Sequence, residues 1–297
     1  MTGRAARPLI AALLALSALA TACAPADEED TAGTTTSPTG SASTEPDPCV
    51  KESLQTKTAG TLTIGTDKPA YEPWFVDDDP TNGQGFESAV AYAVAEELGY
   101  STTEVTWVPV RFDAAIQPGP KNFDFDINQF SITPERQQVV DFSSPYYDVT
   151  QTVITTADSK AADAASLADL KGVKLGAQVG TTSLAAINEV IQPSSEAAVF
   201  NSNDDAKVAL ENGQIDALVV DLPTAFFITA AELENGKIIG QLPPSAGEQE
   251  QFGLLLDKDS PLTDCVSQAV DTLRDNGTLD DLEQEWLAQA AGAPVLQ

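Results

Sequence analysis

One stretch of the sequence, residues 123–136, combines residue types and spacing that suit the binding of a small carboxylate. It begins as a strand in which apolar and polar side chains alternate, and it turns at Ser131 towards a helix. Thr133 is placed to cap that helix, with Pro134 at the first helical position. Arg136 then lies one turn into the helix, beside backbone N–H groups that have no helical partner. A hydroxyl, free amides and a guanidinium together make a carboxylate receptor. The alternative is a structural turn in which Arg136 pairs with a surface acid.

The composition of the chain excludes several other kinds of chemistry. None of the 297 residues is a histidine, so neither a Ser-His or Cys-His nucleophile pair nor a histidine metal site can form. The three cysteines, Cys23, Cys49 and Cys265, lack metal-ligand spacing. The formal charge of −30, from 45 acids against 15 bases, repels nucleic acid and anionic bilayers. The sequence therefore predicts no metal site, no cofactor and no nucleic-acid partner.

The elements that must position residues 123–136 fall into two α/β units. The predicted order in the first unit is strand 61–66, helix 85–98, strand 104–109, helix 112–117 and then the stretch itself. From Thr150 the pattern restarts with strands 151–156, 174–178, 198–200, 217–220 and 237–239, interleaved with helices 180–191, 203–212 and 222–234. A strand at 252–256 and helices at 262–275 and 278–290 finish the chain. Strand and helix in alternation is the order of a parallel α/β sheet, and extended segments near residues 150 and 252 join the two units.

Four polar residues stand at the carboxyl ends of predicted strands: Asp67, Asn128, Gln178 and Asp221. In open α/β sheets, ligands bind beyond these ends. Asp67 and Asn128 belong to the first unit, whereas the other two belong to the second. The sequence therefore predicts a ligand-binding cleft between the units.

The N-terminal residues have the features of an export signal. Arg4 and Arg7 precede an apolar run at 8–20, and small residues lead to Cys23. The run-up to Cys23 resembles a bacterial lipoprotein processing site, which implies removal of residues 1–22 and lipidation of Cys23; an ordinary secretory signal is the alternative. Residues 23–48, rich in Thr, Ser, Gly, Pro and acids, are predicted to be a disordered tether. We therefore expect a protein outside the cytoplasm, anchored to the cell membrane by lipid.

Once Cys23 carries a lipid, Cys49 and Cys265 remain. Two leftover cysteines in an exported chain suggest a disulfide, which would tie the start of the folded region to a helix near its end. Two buried free thiols are the alternative.

A set of short motifs also occurs along the chain in a fixed order. They are Thr66-Asp67 with Tyr71-Glu72-Pro73-Trp74, Gly85-Phe86-Glu87, Ser131-Ile132-Thr133-Pro134-Glu135-Arg136, Val140-Asp141-Phe142-Ser143-Ser144-Pro145-Tyr146-Tyr147, Gly180-Thr181-Thr182, Asn212-Gly213-Gln214-Ile215-Asp216-Ala217, Asp221, and Asn276-Gly277-Thr278 with Trp286. Together they resemble the family 3 solute-binding proteins, the extracellular receptors of polar amino-acid ABC importers, over roughly residues 60–290. The resemblance implies a type II periplasmic-binding-protein fold, in which two α/β lobes joined by two hinge strands close on a ligand. Lobe 1 would comprise residues 49–149 plus 253–297, and lobe 2 residues 150–252.

The resemblance also implies roles for individual residues. Arg136 would bind the ligand α-carboxylate with help from Thr182, and Asp221 would accept the α-ammonium, with Ser131 and the Gln129 backbone as further partners. Asp221 could also serve as the N-cap of the helix that follows it. The remaining predicted ligand-binding residues, some of which would face the ligand side chain, are Asp67, Tyr71, Trp74, Phe112, Asn128, Gln178 and Thr181. Asp126 departs from the family pattern, being either a buried acid beneath the ligand or a residue at the sheet edge.

The function that these features imply is that of the substrate-binding component of an ABC importer. It would bind a free L-amino acid, with a polar or basic side chain favoured, and deliver it to an inner-membrane permease; we expect a monomer. Two alternatives remain. One is a dehydratase-like enzyme on the same fold, in which Asp126 or Glu72 would have to serve as the general acid. The other is a ligand-sensing module that does not transport.

Overall fold

The structure, a computed structural model, describes residues 47–244, 248–288 and 292–297. The predicted signal peptide (residues 1–22), Cys23 and all but the end of the predicted tether (23–48) lie outside the described residues. Within the described ranges, no helix combines the length and the apolarity that crossing a bilayer requires.

Strands and helices alternate along the chain in the predicted order. The strands are β1 (Leu62–Thr66), β2 (Val105–Pro109), β3 (Phe125–Asp126), β4 (Val140–Val149), β5 (Gln151–Thr156), β6 (Leu175–Gln178), β7 (Ala198–Phe200), β8 (Ala217–Asp221), β9 (Gly236–Gln241) and β10 (Glu250–Asp257). The α-helices are α1 (Phe86–Glu97), α2 (Phe112–Ala115), α3 (Pro134–Gln137), α4 (Leu167–Leu170), α5 (Thr182–Ala186), α6 (Asn203–Glu211), α7 (Leu222–Phe227), α8 (Thr263–Asp275) and α9 (Thr278–Leu287). Helices α5 and α7 each continue into a π-helical turn, Ile187–Ile191 and Ile228–Glu232.

The strands form two sheets, one in each lobe. Their orders are β2-β1-β3-β10-β4 in the first lobe and β7-β6-β8-β5-β9 in the second. Strand β1 pairs in parallel with β2 and β3, and β6 pairs in parallel with β7 and β8. Strands β10 and β5 run antiparallel to their neighbours. The sheets are therefore mixed, because β5 and β10 each enter their sheet from the other lobe and run back from the carboxyl ends of the parallel strands. The two-lobed α/β fold that the sequence predicts is confirmed.

The structure differs from the predicted lobe boundaries at two segments. The chain first crosses between the lobes at Thr150. Strand β10 pairs with β4 from Glu250 onward, so the second crossing ends before Glu250 and not at residue 252. The C-terminal residues 292–297 lie against the second lobe, where Val295 bridges to β9 and Leu296 is buried in that lobe's core. This segment has no helical or strand periodicity, so nothing in the sequence pattern marks its return to the second lobe.

Helix α1 anchors the loop that leads into the cleft. Phe86, Val90 and Val94 recur at four-residue spacing and are fully buried in the first lobe. Gly85 precedes the helix with a φ of 94°, and a Cβ there would lie 2.5 Å from the carbonyl oxygen of Trp74. Glycine therefore lets the loop around Trp74 pack directly on the helix start.

A disulfide joins Cys49 to Cys265 in α8, across a sequence separation of 216. This confirms the predicted pairing and excludes two free thiols. Closure of so long a loop stabilises the folded chain by at most about 5 kcal/mol in the chain-entropy treatment.

Candidate functional site

A cavity lies between the two lobes at the carboxyl ends of β1, β3, β6 and β8. The empty space in it and at its mouth amounts to about 420 Å³, part of which is open solvent. Most of its lining belongs to the predicted set: Asp67, Tyr71, Phe112, Asn128, Gln129, Gln178, Thr181, Thr182 and Asp221. Ser183 and Asn203 also line the cavity, and both stand at the start of a helix of the second lobe, where polar side chains face the cleft. The carboxyl ends of the parallel strands thus bring residues of both lobes together around the cavity, as predicted from the strand pattern.

Trp74 is predicted to bind the ligand, but its side chain does not line the cavity. Its side chain is fully buried among the rings of Phe86, Tyr147 and Phe252, all in edge-on contact with it. The indole N–H of Trp74 donates to Thr224 Oγ1 at 2.8 Å. Thr224 belongs to α7 of the second lobe, so Trp74 connects the lobes behind the cleft instead of forming its wall.

The helix start that presents Arg136 has the predicted form. Thr133 precedes α3 with extended backbone angles, its hydroxyl accepts from the Arg136 N–H at 3.2 Å, and Pro134 occupies the first turn. The cap fixes the direction in which the Arg136 side chain leaves the helix.

Ser131 and Arg136, also predicted to bind the ligand, do not line the cavity themselves, and the Arg136 guanidinium lies next to it, between the lobes. It donates to the carbonyl oxygens of Ser131 at 2.7 Å and of Gly180 at 2.9 Å, the latter in the second lobe. The ring of Phe112 lies 5.5 Å away, within the range of a cation–π contact. Burial lowers the pKa of Arg136 to about 10, so the guanidinium is still charged at neutral pH. Because Arg136 is buried and directed at the cleft, the alternative of an arginine paired with a surface acid does not hold.

Asp221 faces the same cleft from the second lobe. Its Oδ1 accepts from Gln151 Nε2 at 2.8 Å, and its side chain makes no capping hydrogen bond to the helix that follows. Burial is the largest cause that raises the pKa of Asp221 to about 8, and the nearby Glu250 carboxylate adds to it. The predicted N-cap role of the Asp221 side chain is therefore wrong. Its carboxyl group accepts from Gln151 instead of capping the helix.

Glu250 is a residue of this region that the sequence did not single out. Its Oε1 accepts from Ser131 Oγ at 2.6 Å and from Thr182 Oγ1 at 2.5 Å. Gln151 Nε2 lies 3.2 Å from Oε1 and 3.1 Å from Oε2. In the sequence, Glu250 stands next to the second crossing between the lobes. It lies at no predicted strand end and in none of the family motifs.

Asp67 and Tyr71 of the first lobe also line the cavity. Asp67 accepts from the backbone N–H groups of Lys68 at 2.7 Å and of Phe112 at 3.2 Å. Partial burial nevertheless raises the pKa of Asp67. Burial and the carboxylate of Asp204, in α6 of the second lobe, raise the pKa of Tyr71. This part of the site is therefore acidic, and both lobes contribute to it.

A second group of acids lies beneath the cavity floor. Glu87 accepts from the Gln129 N–H at 2.7 Å and also from the Gln129 amide and the Tyr146 hydroxyl, and burial raises its pKa to about 7. These bonds hold Gln129 in a left-handed conformation, with a φ of 49°. Asp126 is fully buried within the sheet between β1 and β10, which excludes the sheet-edge alternative; burial raises its pKa well above the ordinary value.

Among the described residues, no group of three or more His, Cys, Asp or Glu side chains is arranged to hold a metal ion. The donors around the cavity are a guanidinium, hydroxyls, amides and carboxylates. Such a set can bind a small molecule that carries both a negative and a positive group.

Comparison with known proteins agrees with this chemistry. A model of the bacterial extracellular solute-binding proteins, family 3, matches residues 62–289. The chain is 29% identical over 240 residues to a probable histidine-binding protein of Campylobacter jejuni, which covers 79% of this chain and 88% of the relative. It is 28% identical over 233 residues to the arginine-binding extracellular protein ArtP of Bacillus subtilis, which covers 76% of this chain and 85% of the relative. A solved structure of an ancestral amino acid-binding protein, described as a precursor of cyclohexadienyl dehydratase, is 32% identical with a TM-score of 0.62 and covers 76% of this chain and 95% of that one.

Proposed function

The chain belongs to family 3 of the bacterial extracellular solute-binding proteins, and from this premise we propose that it binds a free L-amino acid in the cleft between its lobes. It then delivers the amino acid to the permease of an ABC importer. The proposal rests on the family, on the relatives described as amino-acid-binding proteins and on the charges that meet in the cleft.

One observation carries the proposal: the buried guanidinium of Arg136 lies next to the cavity, over the lining residue Phe112 of the first lobe, and the carboxyl of Asp221 lines the cavity from the second lobe. Arg136 can bind the α-carboxylate bidentately, since its planar fork matches a carboxylate. Asp221 can accept from the α-ammonium, which also keeps this carboxyl in its ionised form. Because the two groups lie on different lobes, a zwitterion that binds both stabilises the closed arrangement.

The part of the cavity lined by Asp67 and Tyr71 favours a ligand with a positively charged or polar side chain. Asp67 and Tyr71 lie there, and Asp67 has a raised pKa, so its ionised form gains from a cation beside it. The two relatives described as histidine- and arginine-binding proteins agree with this preference. Gln178 and Asn128 supply neutral hydrogen-bonding groups along the wall.

We propose in addition that the mature protein is a monomer held at the outer face of the cell membrane. Removal of residues 1–22, a lipid on Cys23 and the tether at 23–48 would place the lobes outside the cytoplasm, where the disulfide is stable. Mass spectrometry of the membrane-extracted protein tests the anchor: an unmodified Cys23 would contradict it.

A binding role is favoured over catalysis on this fold. The dehydratase-like alternative needs a general acid in the cleft, and neither Asp126 nor Glu72 is among the described residues that line the cavity. A sensory module without transport would have the same closed lobes, and the neighbouring genes distinguish the two: a permease and an ATPase favour import.

Isothermal titration of ligand-free protein with the twenty L-amino acids tests the proposal. We expect at least one amino acid to bind with a Kd in the micromolar range or below, about −8 kcal/mol, with the cationic ones ahead of the acidic ones. If no amino acid binds more tightly than about 1 mM, which corresponds to roughly −4 kcal/mol, the proposed function is wrong.

A further inference from the structure

We propose that Glu250 is a specificity-determining residue, which together with Asp221 forms a two-carboxylate receptor for the α-ammonium group of the ligand. The inference rests on the proposed function and names the residue by which the site would select α-amino acids over carboxylic acids that lack the amine.

The first observation that supports the proposal is that two hydroxyl groups donate to Glu250. Its Oε1 accepts from both Ser131 Oγ and Thr182 Oγ1, at 2.6 and 2.5 Å. A hydroxyl group has a single proton to donate and two lone pairs. The two hydroxyl oxygens also lie 3.1 Å apart, but their contacts with the carboxylate are shorter; with both protons on Glu250, Ser131 and Thr182 present only lone pairs to other partners. The carboxylate thereby makes this part of the cleft a set of acceptors, which a cation satisfies and an anion does not.

The second support is Gln151, whose amide lies between the two carboxylates. Ser183 Oγ donates to Gln151 Oε1 at 2.6 Å, which directs the Gln151 NH₂ group at Asp221 and Glu250. An NH₂ group has two protons, so it gives each carboxylate one hydrogen bond and leaves further lone pairs on both. The two acids are close enough that Glu250 raises the pKa of Asp221. A bound ammonium relieves this repulsion.

The third support is the charge around the receptor. In the ion pairs between described residues, neither Glu250 nor Asp221 takes part, and no Arg136 nitrogen lies within 4.0 Å of a carboxylate oxygen. Arg136 donates instead to two carbonyl oxygens. Its N–H groups thus stay available to the ligand α-carboxylate. Arg136 acts on Asp221 and Glu250 only at longer range, and it lowers the pKa of Asp221 less than Glu250 raises it.

A second reading of the same contacts predicts the opposite result. Glu250 could stand in for the ligand α-carboxylate on Ser131 and Thr182, in which case the ligand would have to displace it. Removing its charge would then tighten binding, with or without an α-amine on the ligand. The two readings differ in the sign of one measurement.

The experiment compares two ligands and three proteins by isothermal titration at pH 7.5. The ligands are the tightest-binding amino acid and the same molecule without its α-amine, which for L-arginine is δ-guanidinovalerate. The proteins are the wild type, Glu250→Gln and the control Glu248→Gln, which makes the same charge change at an exposed neighbour. Circular dichroism and thermal unfolding check that each variant folds.

We expect Glu250→Gln to weaken binding of the amino acid at least tenfold and to change binding of the deaminated ligand less than threefold. Glu248→Gln should leave both affinities unchanged. Equal losses for both ligands, unchanged affinity or tighter binding would overturn the inference. If Glu250→Gln does not fold, Glu250→Asp replaces it, because this variant keeps the charge but withdraws the carboxylate. A loss of affinity confined to the amino acid then supports the inference. Equal changes in the affinity for both ligands overturn it. A wild-type protein that binds no amino acid refutes the proposed function, whereas wild-type binding with an unaffected variant refutes only the role of Glu250.

Discussion

Asp221→Asn should weaken ligand binding and at the same time stabilise the unliganded protein at neutral pH. The pKa of Asp221 rises from its ordinary value of 3.8 to about 8 in the folded protein. An acid with a higher pKa in the folded state than in the unfolded chain binds its proton more tightly when folded. The free energy of unfolding therefore falls as the pH rises from about 4 towards 8, and it is restored as the pH falls again. Asparagine has no charge to lose, so the variant lacks this penalty.

The size of the effect follows from the pKa shift. One pKa unit corresponds to about 1.4 kcal/mol, so the interval from the ordinary value to pH 7 sets an upper limit of about 4 kcal/mol. The Asp221 side chain is only partly buried in the unliganded cleft, and water screens it, so we expect about 1–2 kcal/mol. For a chain of this size, that raises the Tm by roughly 2–8 °C. Loss of the charged acceptor for the ammonium should cost about 2–5 kcal/mol of binding, which raises Kd by roughly thirtyfold to several thousandfold.

The assay combines thermal unfolding of ligand-free protein at pH 5 and pH 7.5 with titration of the best amino acid. The control is Asp163→Asn, which removes an exposed carboxylate of the same lobe. Asp221→Asn should unfold at a higher temperature than the wild type at pH 7.5, by a smaller margin at pH 5, and should bind weakly at both. An unliganded Asp221→Asn protein that is no more stable than the wild type at pH 7.5 would contradict the raised pKa of Asp221, and one that binds the amino acid normally would contradict its role in binding.

Three further predictions concern Arg136, the disulfide and the release of protons on binding. Arg136→Lys keeps the positive charge but loses the planar fork, so the amino acid should bind about tenfold more weakly or worse by titration; an unchanged Kd would contradict a bidentate role. Replacing Cys49 and Cys265 together by serine should lower the free energy of unfolding by about 2–4 kcal/mol in denaturant titration, with ligand affinity kept, and equal stability would show that the disulfide contributes little. Because the ammonium selects ionised Asp221, binding at pH 7 should release up to about one proton per ligand, measured by titration in buffers of different ionisation enthalpy; binding without proton release would contradict the raised pKa.

The sequence predicted those parts of the site that follow from local rules. Asp67, Asn128, Gln178 and Asp221 line the cavity because the carboxyl ends of parallel strands meet at one edge of a sheet, and strand ends can be read from the pattern. The Arg136 helix start followed from capping rules in the same way.

The parts that the sequence did not predict depend on packing between distant segments. Trp74 lies in a loop among prolines, where a binding role and a buried role look alike; only its packing on Phe86 and its bond to Thr224 decide between them. Glu250 precedes the predicted strand, and its partners are 68 to 119 residues away along the chain. The antiparallel direction of β10 likewise follows from the crossing between the lobes and not from the residues of the strand.

A crystal structure of the protein with the tightest-binding amino acid would show whether the ligand binds between Arg136 and Asp221. We predict that the α-carboxylate lies within hydrogen-bond distance of the Arg136 guanidinium, with the α-ammonium on the Asp221 carboxylate and the side chain directed towards Asp67. A ligand bound outside the cleft between the lobes, or one whose carboxylate does not contact Arg136, would contradict it.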